Sequence, residues 1–485
     1  MFSIKDLISL SILTILFYLI YGGALAIPPR SDYWHLFYLF SHITRGLKPI
    51  TNTLTFLGSF GHPRFQPLAF LGLYIEYVLF GFNFILYNFS NLLLALGVFI
   101  QLYFIIKLIM PSFLISCLLT LLGAFLLSHS DIIIWSYHIY IIFGVFCIFG
   151  AVHAGYFYYL KRKSVFLIVA GLLLMIAVWC YEPFISAPFI LFLLAGNLLR
   201  DRKLALRATL LFYGPYMLAY ILYQLLPKYL PLDFSIWQFM TLGHIISSIK
   251  IASANMFYIN FLTTLFPFLG VPVSYFDNTV LILAHQHKDL ISFLQDYGLV
   301  IFGIGLILMY LYKKKDTSRS FPVLLAAAAM LFTYLVLLAF GRSITNPPLY
   351  IYLQFRYQFF PNLLMIIILA VLIRSYIHRR RKGIITASIF LSIILIFNMA
   401  LTFKTVQYVR GLFDEDRKFI EVVTKAVKDG AISPDKKLYI DEAKINSMAC
   451  WNRETANFPG NIQWFFKGKE DCFARTKEEA GLIIY

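Results

Sequence analysis

An aspartate lies just beyond the first apolar stretch of the chain. Residues 7–27 form an apolar run long enough to cross a bilayer, and Asp32 follows after a short segment that begins at Pro28. A carboxylate at the membrane surface, ahead of a long hydrophobic bundle, is placed to serve as the base of an enzyme that acts on a lipid-borne substrate. In the alternative interpretation, Asp32 caps a loop or is solvated there.

Two further polar groups lie at the ends of apolar runs. Glu182 precedes Pro183, and a buried acid at the end of a membrane span is costly and therefore usually functional. The alternative for Glu182 is an exposed acid favoured by the helix dipole. His129 and Asp131 are separated by Ser130 and can bind polar ligands or a divalent ion. Two such ligands fall short of a metal site, so we expect no obligatory metal.

The composition indicates a polytopic membrane protein. Of 485 residues, 60% are hydrophobic and 13% are charged, whereas soluble domains are about 45–50% apolar and about 25% charged. The net charge is +17, but residues 404–485 hold 14 Lys/Arg and 13 Asp/Glu, which leaves 27 basic and 11 acidic residues for the membrane part. That basic excess lies largely in short loops, as orientation signals do. We therefore expect no nucleic-acid partner.

Apolar runs near the spanning length of about 20 residues predict the fold class. We expect an all-α polytopic membrane protein, a bundle of about eleven transmembrane helices with interfacial helices on its outer surface and a small external α+β domain at the C-terminus. The predicted spans are 7–27, 84–109, 112–127, 139–160, 165–180, 183–199, 208–226, 291–312, 321–340, 361–377 and 384–403.

Clusters of Lys and Arg between the spans predict the orientation. They lie at 161–163, 200–203, 313–315 and 379–382, all on one side of the bundle, which the positive-inside rule makes cytoplasmic. The protein is thus expected in the cytoplasmic (inner) membrane, with its N-terminus inside and its C-terminal tail outside. The first run also resembles a signal peptide, but a retained helix is expected because its removal would detach the Asp32 loop from the bundle.

A change in composition after the last span predicts two domains. Residues 1–403 form the catalytic bundle, with external loops at 28–83 and 227–290, and residues 404–485 form an external, periplasmic domain. The segment 63–80 predicts an interfacial helix. The apolar patches of the second loop fit either a re-entrant pair or two further spans. In the tail we expect an amphipathic helix from Phe413 and a short strand at 438–440.

Two cysteines, Cys450 and Cys472, lie in the predicted external tail. An oxidising exterior permits a disulfide between them, and two free thiols are the alternative. The other three, Cys117, Cys147 and Cys180, lie in predicted spans and are expected to be packing residues.

Four segments of the chain resemble, in order, motifs of the GT-C glycosyltransferase superfamily. His62-Pro63-Arg64 and the residues up to 92 resemble the block that forms the surface helix before the second span. Ser128-His129-Ser130-Asp131 resembles the His-Pro segment, Tyr181-Glu182-Pro183 the Lys-Glu step, and Arg356-Tyr357 with Pro361 the Arg-Tyr…Pro segment of a late span. The chain departs from the family where Asp32 stands without a second acid and where Tyr181 replaces a lysine.

The resemblance implies transfer of a monosaccharide from a polyprenyl-phosphate carrier to an acceptor outside the cytoplasmic membrane. Size, topology and a small external tail are also similar to bacterial serotype-converting O-antigen glucosyltransferases, which makes glucose, carried as undecaprenyl phosphate glucose, a candidate donor sugar. The expected acceptor is lipid-linked O-antigen of lipopolysaccharide or another polysaccharide, with a protein as the alternative. The expected partners are membrane lipid and these substrates, and no cofactor is obligatory.

Within this resemblance, each candidate residue has an expected role. Asp32 would take the proton of the acceptor hydroxyl in a single, inverting displacement. Arg356 is the first candidate to neutralise the leaving phosphate, with Arg64 and Arg342 in reserve, because a guanidinium offers a planar set of donors. The alternative for Arg356 is an arginine that snorkels beside an aromatic belt. The remaining candidate substrate-binding residues are His62, His129, Asp131, Glu182 and Tyr357.

Two other classes remain open. A flippase or transporter for a lipid-linked sugar predicts inverted repeats and charges at mid-membrane, whereas the sequence has no evident repeat and its acids lie at span ends. A polysaccharide polymerase would rely on arginines in several outer loops. Asp32→Asn separates these classes, because it should abolish transfer and be tolerated by the other two.

Overall fold

The computed structural model describes most of the predicted bundle and part of the tail. The described residues are 3–28, 40, 66–81, 83–110, 112–199, 202–225, 243, 245–254, 289–290, 292–294, 296–298, 300–301, 303–305, 320–342, 355–377, 381–414, 417–418, 421–422, 425–426, 429–431, 435–440, 474 and 478–484.

Helices dominate these residues, as the apolar runs predict. The helices named below are, in chain order, α1 (Ile4–Tyr21), α2 (Pro67–Phe80), α3 (Phe84–Ile109), α4 (Phe113–Phe125), α5 (Ser130–Ile134), α6 (Ile139–Lys161), α7 (Ser164–Cys180), α8 (Ala187–Leu199), α9 (Arg202–Leu225), α10 (Ser320–Arg342), α11 (Phe359–Ile377) and α12 (Arg381–Leu412). Short 3-10 turns lie at Gly22–Ala26, Leu127–His129, Ser136–His138, Glu182–Ser186 and Phe355–Gln358.

Five helical stretches within the described residues are long and apolar enough to cross a membrane. They are Ile4–Ala26, Phe84–Ile109, Ser136–Lys161, Phe321–Ala339 and Gly383–Leu412, and the bent pair Phe113–Phe125 and Leu127–Ile134 makes a sixth if it is one span. The prediction of an all-α polytopic membrane protein is therefore confirmed. The total of eleven spans stays a prediction, because several of the predicted spans coincide with shorter apolar helices, at Ser164–Cys180, Glu182–Ala195 and Phe359–Arg374.

Helix α3 lies at the centre of the bundle. It packs against α4 and α6 and also contacts α11. Ala95 and Phe99 on α3 are fully buried. Lipid tails are as apolar as leucine, so helices in a membrane associate through close packing and hydrogen bonds, and small residues such as Ala95 let their backbones approach.

A glycine sets the closest approach at the contact between α6 and the turn at Glu182–Ser186. A Cβ atom added at Gly144 would lie 2.4 Å from Cε2 of Phe184 and 3.5 Å from the carbonyl oxygen of Ala177 on α7. A side chain at this position would therefore force the Phe184 ring to shift. The absence of this Cβ allows the Phe184 ring to seat against α6.

A buried ionic cluster fixes the start of α1. Ser3 and Asp6 form a capping box, in which the Ser3 amide donates to the Asp6 carboxylate at 2.8 Å. Tyr103 of α3 donates its hydroxyl to the same carboxylate at 2.8 Å, and Lys107 forms an ion pair with it. The Asp6 side chain is 2% exposed, so these donors replace the water that the carboxylate loses on burial.

The last membrane helix continues into the tail without a break. The predicted span 384–403 lies inside α12, which runs on to Leu412 and so passes through the predicted domain boundary. Beyond it, Asp414 pairs with Arg417 and Lys418. Strand β1 (Lys437–Ile440) contains the predicted strand 438–440, and it pairs in parallel with β2 (Ala480–Ile484).

Candidate functional site

A break in the helical structure lies between α4 and α5, where the sequence predicts one span ending at 127. Helix α4 ends at Phe125, the chain turns through Leu127–His129, and α5 continues with its axis bent by 50°. Residues 128–131 are buried. A helix that stops inside protein leaves backbone groups without intrahelical partners, and burial makes such groups expensive unless side chains satisfy them.

Side chains from three helices satisfy those backbone groups. Tyr21 of α1 donates its hydroxyl to the carbonyl of Ala124 at 3.1 Å, and Thr402 of α12 donates to the carbonyl of Phe125 at 3.0 Å. Asn398, also on α12, accepts from the amide of Leu127 at 3.2 Å. From α3, Asn91 donates to the carbonyls of Ile132 and Ile133 at 3.2 and 2.7 Å. Polar side chains that lie far away in the sequence thus bind the backbone groups on both sides of the break.

His129 belongs to the same arrangement. Its side chain is fully buried, its Nδ1 lies 2.7 Å from the carbonyl oxygen of Gly123, and its ring packs against Phe359 with centroids 4.9 Å apart. A carbonyl only accepts hydrogen bonds, so Nδ1 must carry the proton. His129 is one of the predicted substrate-binding residues. In the structure its ring also stabilises the break, because it binds the Gly123 carbonyl on α4.

The turn that contains Arg356 packs against the break. The turn Phe355–Gln358 contacts both the turn Leu127–His129 and α5. Just beyond it, Asn362 of α11 donates from Nδ2 to the hydroxyl of Ser128 at 2.6 Å. Tyr357 is buried, and Arg356 lies in the turn with its side chain outside the described residues. Two of the predicted site segments, distant in sequence, therefore meet.

The Glu182 segment reaches the same region through aromatic rings. Glu182 is half-buried at the start of the turn that joins α7 to α8. In this turn, Phe184 packs edge-on against Phe360 of α11 at 5.1 Å and stacks on Tyr334 of α10 at 5.8 Å. Tyr181 packs against Phe184 at 5.4 Å. Phe360 lies in the same motif as Arg356, between Tyr357 and Pro361. The Glu182 turn is therefore the third predicted segment that packs at the start of α11.

The described residues include only some of the predicted site. Asp32, His62, Arg64 and both tail cysteines, Cys450 and Cys472, lie outside them, as does the side chain of Arg342. Asp131 is buried at the start of α5. The structure thus brings together the segments of His129 and Asp131, of Glu182, and of Arg356 and Tyr357.

Sequence reasoning missed the residues that build the break. Asn91, Asn362, Asn398 and Thr402 are all buried, and each lies within an apolar run. A lone amide or hydroxyl in a membrane helix is the available signal, since such side chains hydrogen-bond between helices. Nothing in the sequence says which backbone group each of them reaches.

No group of three or more His, Cys, Asp or Glu side chains that could hold a metal ion occurs within the part of the chain that the structure describes. Comparison with known proteins gives no match to a protein-family model, a curated protein or a solved structure. The contacts among the three segments are therefore the basis for a functional proposal.

Proposed function

We propose that the protein is an integral membrane glycosyltransferase. It moves a monosaccharide, with glucose as the first candidate, from a polyprenyl-phosphate carrier to an acceptor outside the cytoplasmic membrane. The acceptor is lipid-linked O-antigen or another polysaccharide, and a protein is the alternative. In this proposal the chain has about eleven spans, an internal N-terminus and an external domain at residues 404–485.

One observation supports this proposal above the others: three motif segments that lie far apart in the sequence gather around the start of α11. Asn362 bonds to Ser128, His129 packs on Phe359, and Phe184 packs on Phe360. These segments carry the acid, histidine and arginine residue types that bind a sugar and a phosphate. Residues needed only for packing in a membrane need not be polar at all three places.

The proposed reaction is a single displacement at the anomeric carbon of the donor sugar. The acceptor oxygen attacks this carbon and gives its proton to the Asp32 carboxylate. The bond between the anomeric carbon and the phosphate oxygen breaks, and its electron pair leaves with the polyprenyl phosphate. Arg356 neutralises the charge that develops on this phosphate. The configuration of the anomeric carbon is inverted.

Sugar transfer by the purified protein tests the proposal. Wild type is supplied in detergent with undecaprenyl phosphate glucose and lipid-linked O-antigen, beside Asp32→Asn and Glu182→Gln. The matched control is Asp296→Asn, because Asp296 is an exposed acid that pairs with Lys250. We expect transfer by wild type and the control and a loss of at least about 100-fold in a folded Asp32→Asn protein, as for removal of a general base.

The other outcomes have defined meanings. Transfer that survives Asp32→Asn but is lost in Glu182→Gln would keep the class and move the base to Glu182. Absence of transfer from every polyprenyl-phosphate sugar tested, by a folded protein, would exclude the proposal.

A flippase for a lipid-linked sugar is the second candidate, because broken membrane helices often line transport sites. Here Tyr21, Asn398 and Thr402 already bind backbone groups at the break, whereas the broken helices of a transport site use such groups to bind the substrate. Movement of a fluorescent lipid-linked sugar across proteoliposomes, unaffected by Asp32→Asn, would favour the flippase.

A further inference from the structure

Helix α2 carries one charged residue, and the structure buries it. Glu76 is the only Asp, Glu, Lys or Arg between Pro67 and Phe80, and it is 8% exposed. The 14 residues of α2 make it about 21 Å long, shorter than the hydrocarbon core of about 30 Å. A helix on the membrane surface would ordinarily turn its acid towards water. The inward position of Glu76 therefore needs a physical explanation.

The contacts of Glu76 suit a carboxylic acid better than a carboxylate. The Ser90 hydroxyl oxygen, on α3, lies 2.6 Å from Oε1 of Glu76 and 3.0 Å from the carbonyl oxygen of Tyr87. A hydroxyl has one proton, so it cannot fully serve two acceptors. If Glu76 is protonated, its O–H donates to Ser90 and Ser90 donates to Tyr87, and both protons are used. The other oxygen, Oε2, is buried and has no hydrogen-bond partner among the described residues.

No basic side chain on the helices packed around α2 lies close to Glu76. These helices are α3, α6 and α7, and α7 has no Asp, Glu, Lys or Arg. Lys107 lies 17 residues beyond Ser90 on α3, about 26 Å along the helix. On α6, His153 contacts the carbonyl of Gln101, about 16 Å along α3 from Ser90, and Lys161 lies two turns further.

The other titratable groups on these four helices do not supply a positive charge. They are Tyr74 and Tyr77 on α2, Tyr87 and Tyr103 on α3, Tyr140, Cys147, Tyr156, Tyr158 and Tyr159 on α6, and Cys180 on α7. Among the residues that the structure describes, no nearby cation therefore offsets the burial of the Glu76 carboxyl.

We propose that Glu76 is a proton-binding positioning residue: its protonated form docks α2 onto α3, and its ionisation loosens that contact. Because α2 begins directly after the segment that holds His62 and Arg64, the docked helix fixes where that segment ends. The ligand of the site is a proton, so the inference stands independently of any sugar substrate.

The acidity of the group agrees with this geometry. Burial raises the pKa of Glu76 from its ordinary value of 4.5 to about 7, and the hydrogen bond that Ser90 can donate to the ionised carboxylate offsets part of the rise. Docking is then strongest below pH 4.5, where the docked and released forms are both protonated. It weakens as the pH rises towards about 7, by up to about tenfold per pH unit, and stays constant above that value.

Hydrogen–deuterium exchange of α2 tests the proposal without any activity assay. The full-length protein in lipid nanodiscs is compared at about pH 5 and about pH 8, across the raised pKa. Exchange of the peptide 67–80 is corrected for intrinsic rates by the peptide 92–106 of the buried helix α3. In wild type we expect the corrected exchange of α2 to be at least about tenfold faster at the higher pH.

The variants assign this change to Glu76. Glu76→Gln keeps the shape and a donor for Ser90 but cannot ionise, so its α2 should be protected equally at both pH values. Glu76→Leu should behave likewise and serves if Glu76→Gln does not fold. Asp296→Asn, which removes an exposed acid, should keep the wild-type response. Equal protection of wild-type α2 at both pH values, or a pH response that survives in the folded Glu76 variants, would overturn the proposal.

Discussion

Asn362 and Ser128 are joined by a hydrogen bond of 2.6 Å between residues separated by 234 positions in the sequence. Asn362 lies in the first turns of α11, and Ser128 lies where the fourth helix stops. Both side chains are buried, so neither can exchange this bond for one with water. The bond is therefore a direct link between the helix break and the segment of Arg356.

Replacement of Asn362 by Leu should destabilise the bundle by about 1–3 kcal/mol, because it leaves the buried Ser128 hydroxyl without this partner. Thermal unfolding in detergent, followed by tryptophan fluorescence, measures the effect. Thr14→Val is the control: Thr14 donates a hydrogen bond to the carbonyl of Leu10 but is exposed, so its replacement should change stability by less than about 0.5 kcal/mol. If the two substitutions lowered the free energy of unfolding equally, the bond between Asn362 and Ser128 would not stabilise the bundle as we infer.

Replacement of Gly144 by Ala should destabilise the protein by about 1–3 kcal/mol, because its Cβ would meet the Phe184 ring at 2.4 Å. Gly155→Ala on the same helix is the control. No atom lies within 4 Å of a Cβ there, so a gain of about 0.5–1 kcal/mol is expected from helix propensity. Phe184→Leu should partly rescue Gly144→Ala. A failure of rescue, with both single variants folded, would point to a contact other than Phe184.

Replacement of Asp6 by Asn should weaken the attachment of α1 to α3. The change replaces one of the two oxygens that accept from Ser3 and Tyr103 with an NH2 donor and removes the charge that pairs with Lys107, and we expect a loss of about 1–3 kcal/mol. Lys107 is 36% exposed and can recover water, so the loss should lie below that of a fully buried pair. In the background of Lys107→Met, Asp6→Asn should cost less, and additivity of the two changes would show that the pair is not coupled.

Two substitutions of His129 separate a structural role from a binding role. His129→Asn can still donate a hydrogen bond towards the Gly123 carbonyl, whereas His129→Leu cannot. We expect His129→Leu to be the less stable of the two by about 1–3 kcal/mol. If His129 acted only on substrate, both variants would unfold at the wild-type temperature and lose transfer to the same extent.

The sequence predicts the helices well because apolar length is a direct consequence of bilayer thickness. Phe84–Ile109 matches its predicted span, and α6 and α7 match the predicted spans 139–160 and 165–180 to within one residue. Helix α4 ends at Phe125, two residues before the predicted end of its span at 127, whereas the bent continuation into α5 has no counterpart among the sequence predictions. Tyr21, Asn398 and Thr402 bind the backbone groups at this bend, and a single sequence does not pair residues that distant.

For the candidate site, too, the sequence predicts some of the residues but not the contacts between them. The polar residues at 129, 131 and 182 stand out in an apolar sequence, and the prediction that they lie near one another in the fold follows only from a family resemblance. The burial of Glu76 is not readable from the sequence, because an acid in a short surface helix suggests contact with water. Its burial depends on Ser90, 14 positions along the chain, whose hydroxyl meets it across the contact of α2 with α3.

Helix α12 carries the two side chains that bond at the break, Asn398 and Thr402, on one face, because they are four residues apart. The same helix extends over 32 residues, or about 48 Å, against a hydrocarbon core of about 30 Å. It is thus one continuous helix whose C-terminal end lies in the tail. A rotation of this helix about its axis would therefore turn Asn398 and Thr402 away from Leu127 and Phe125 together.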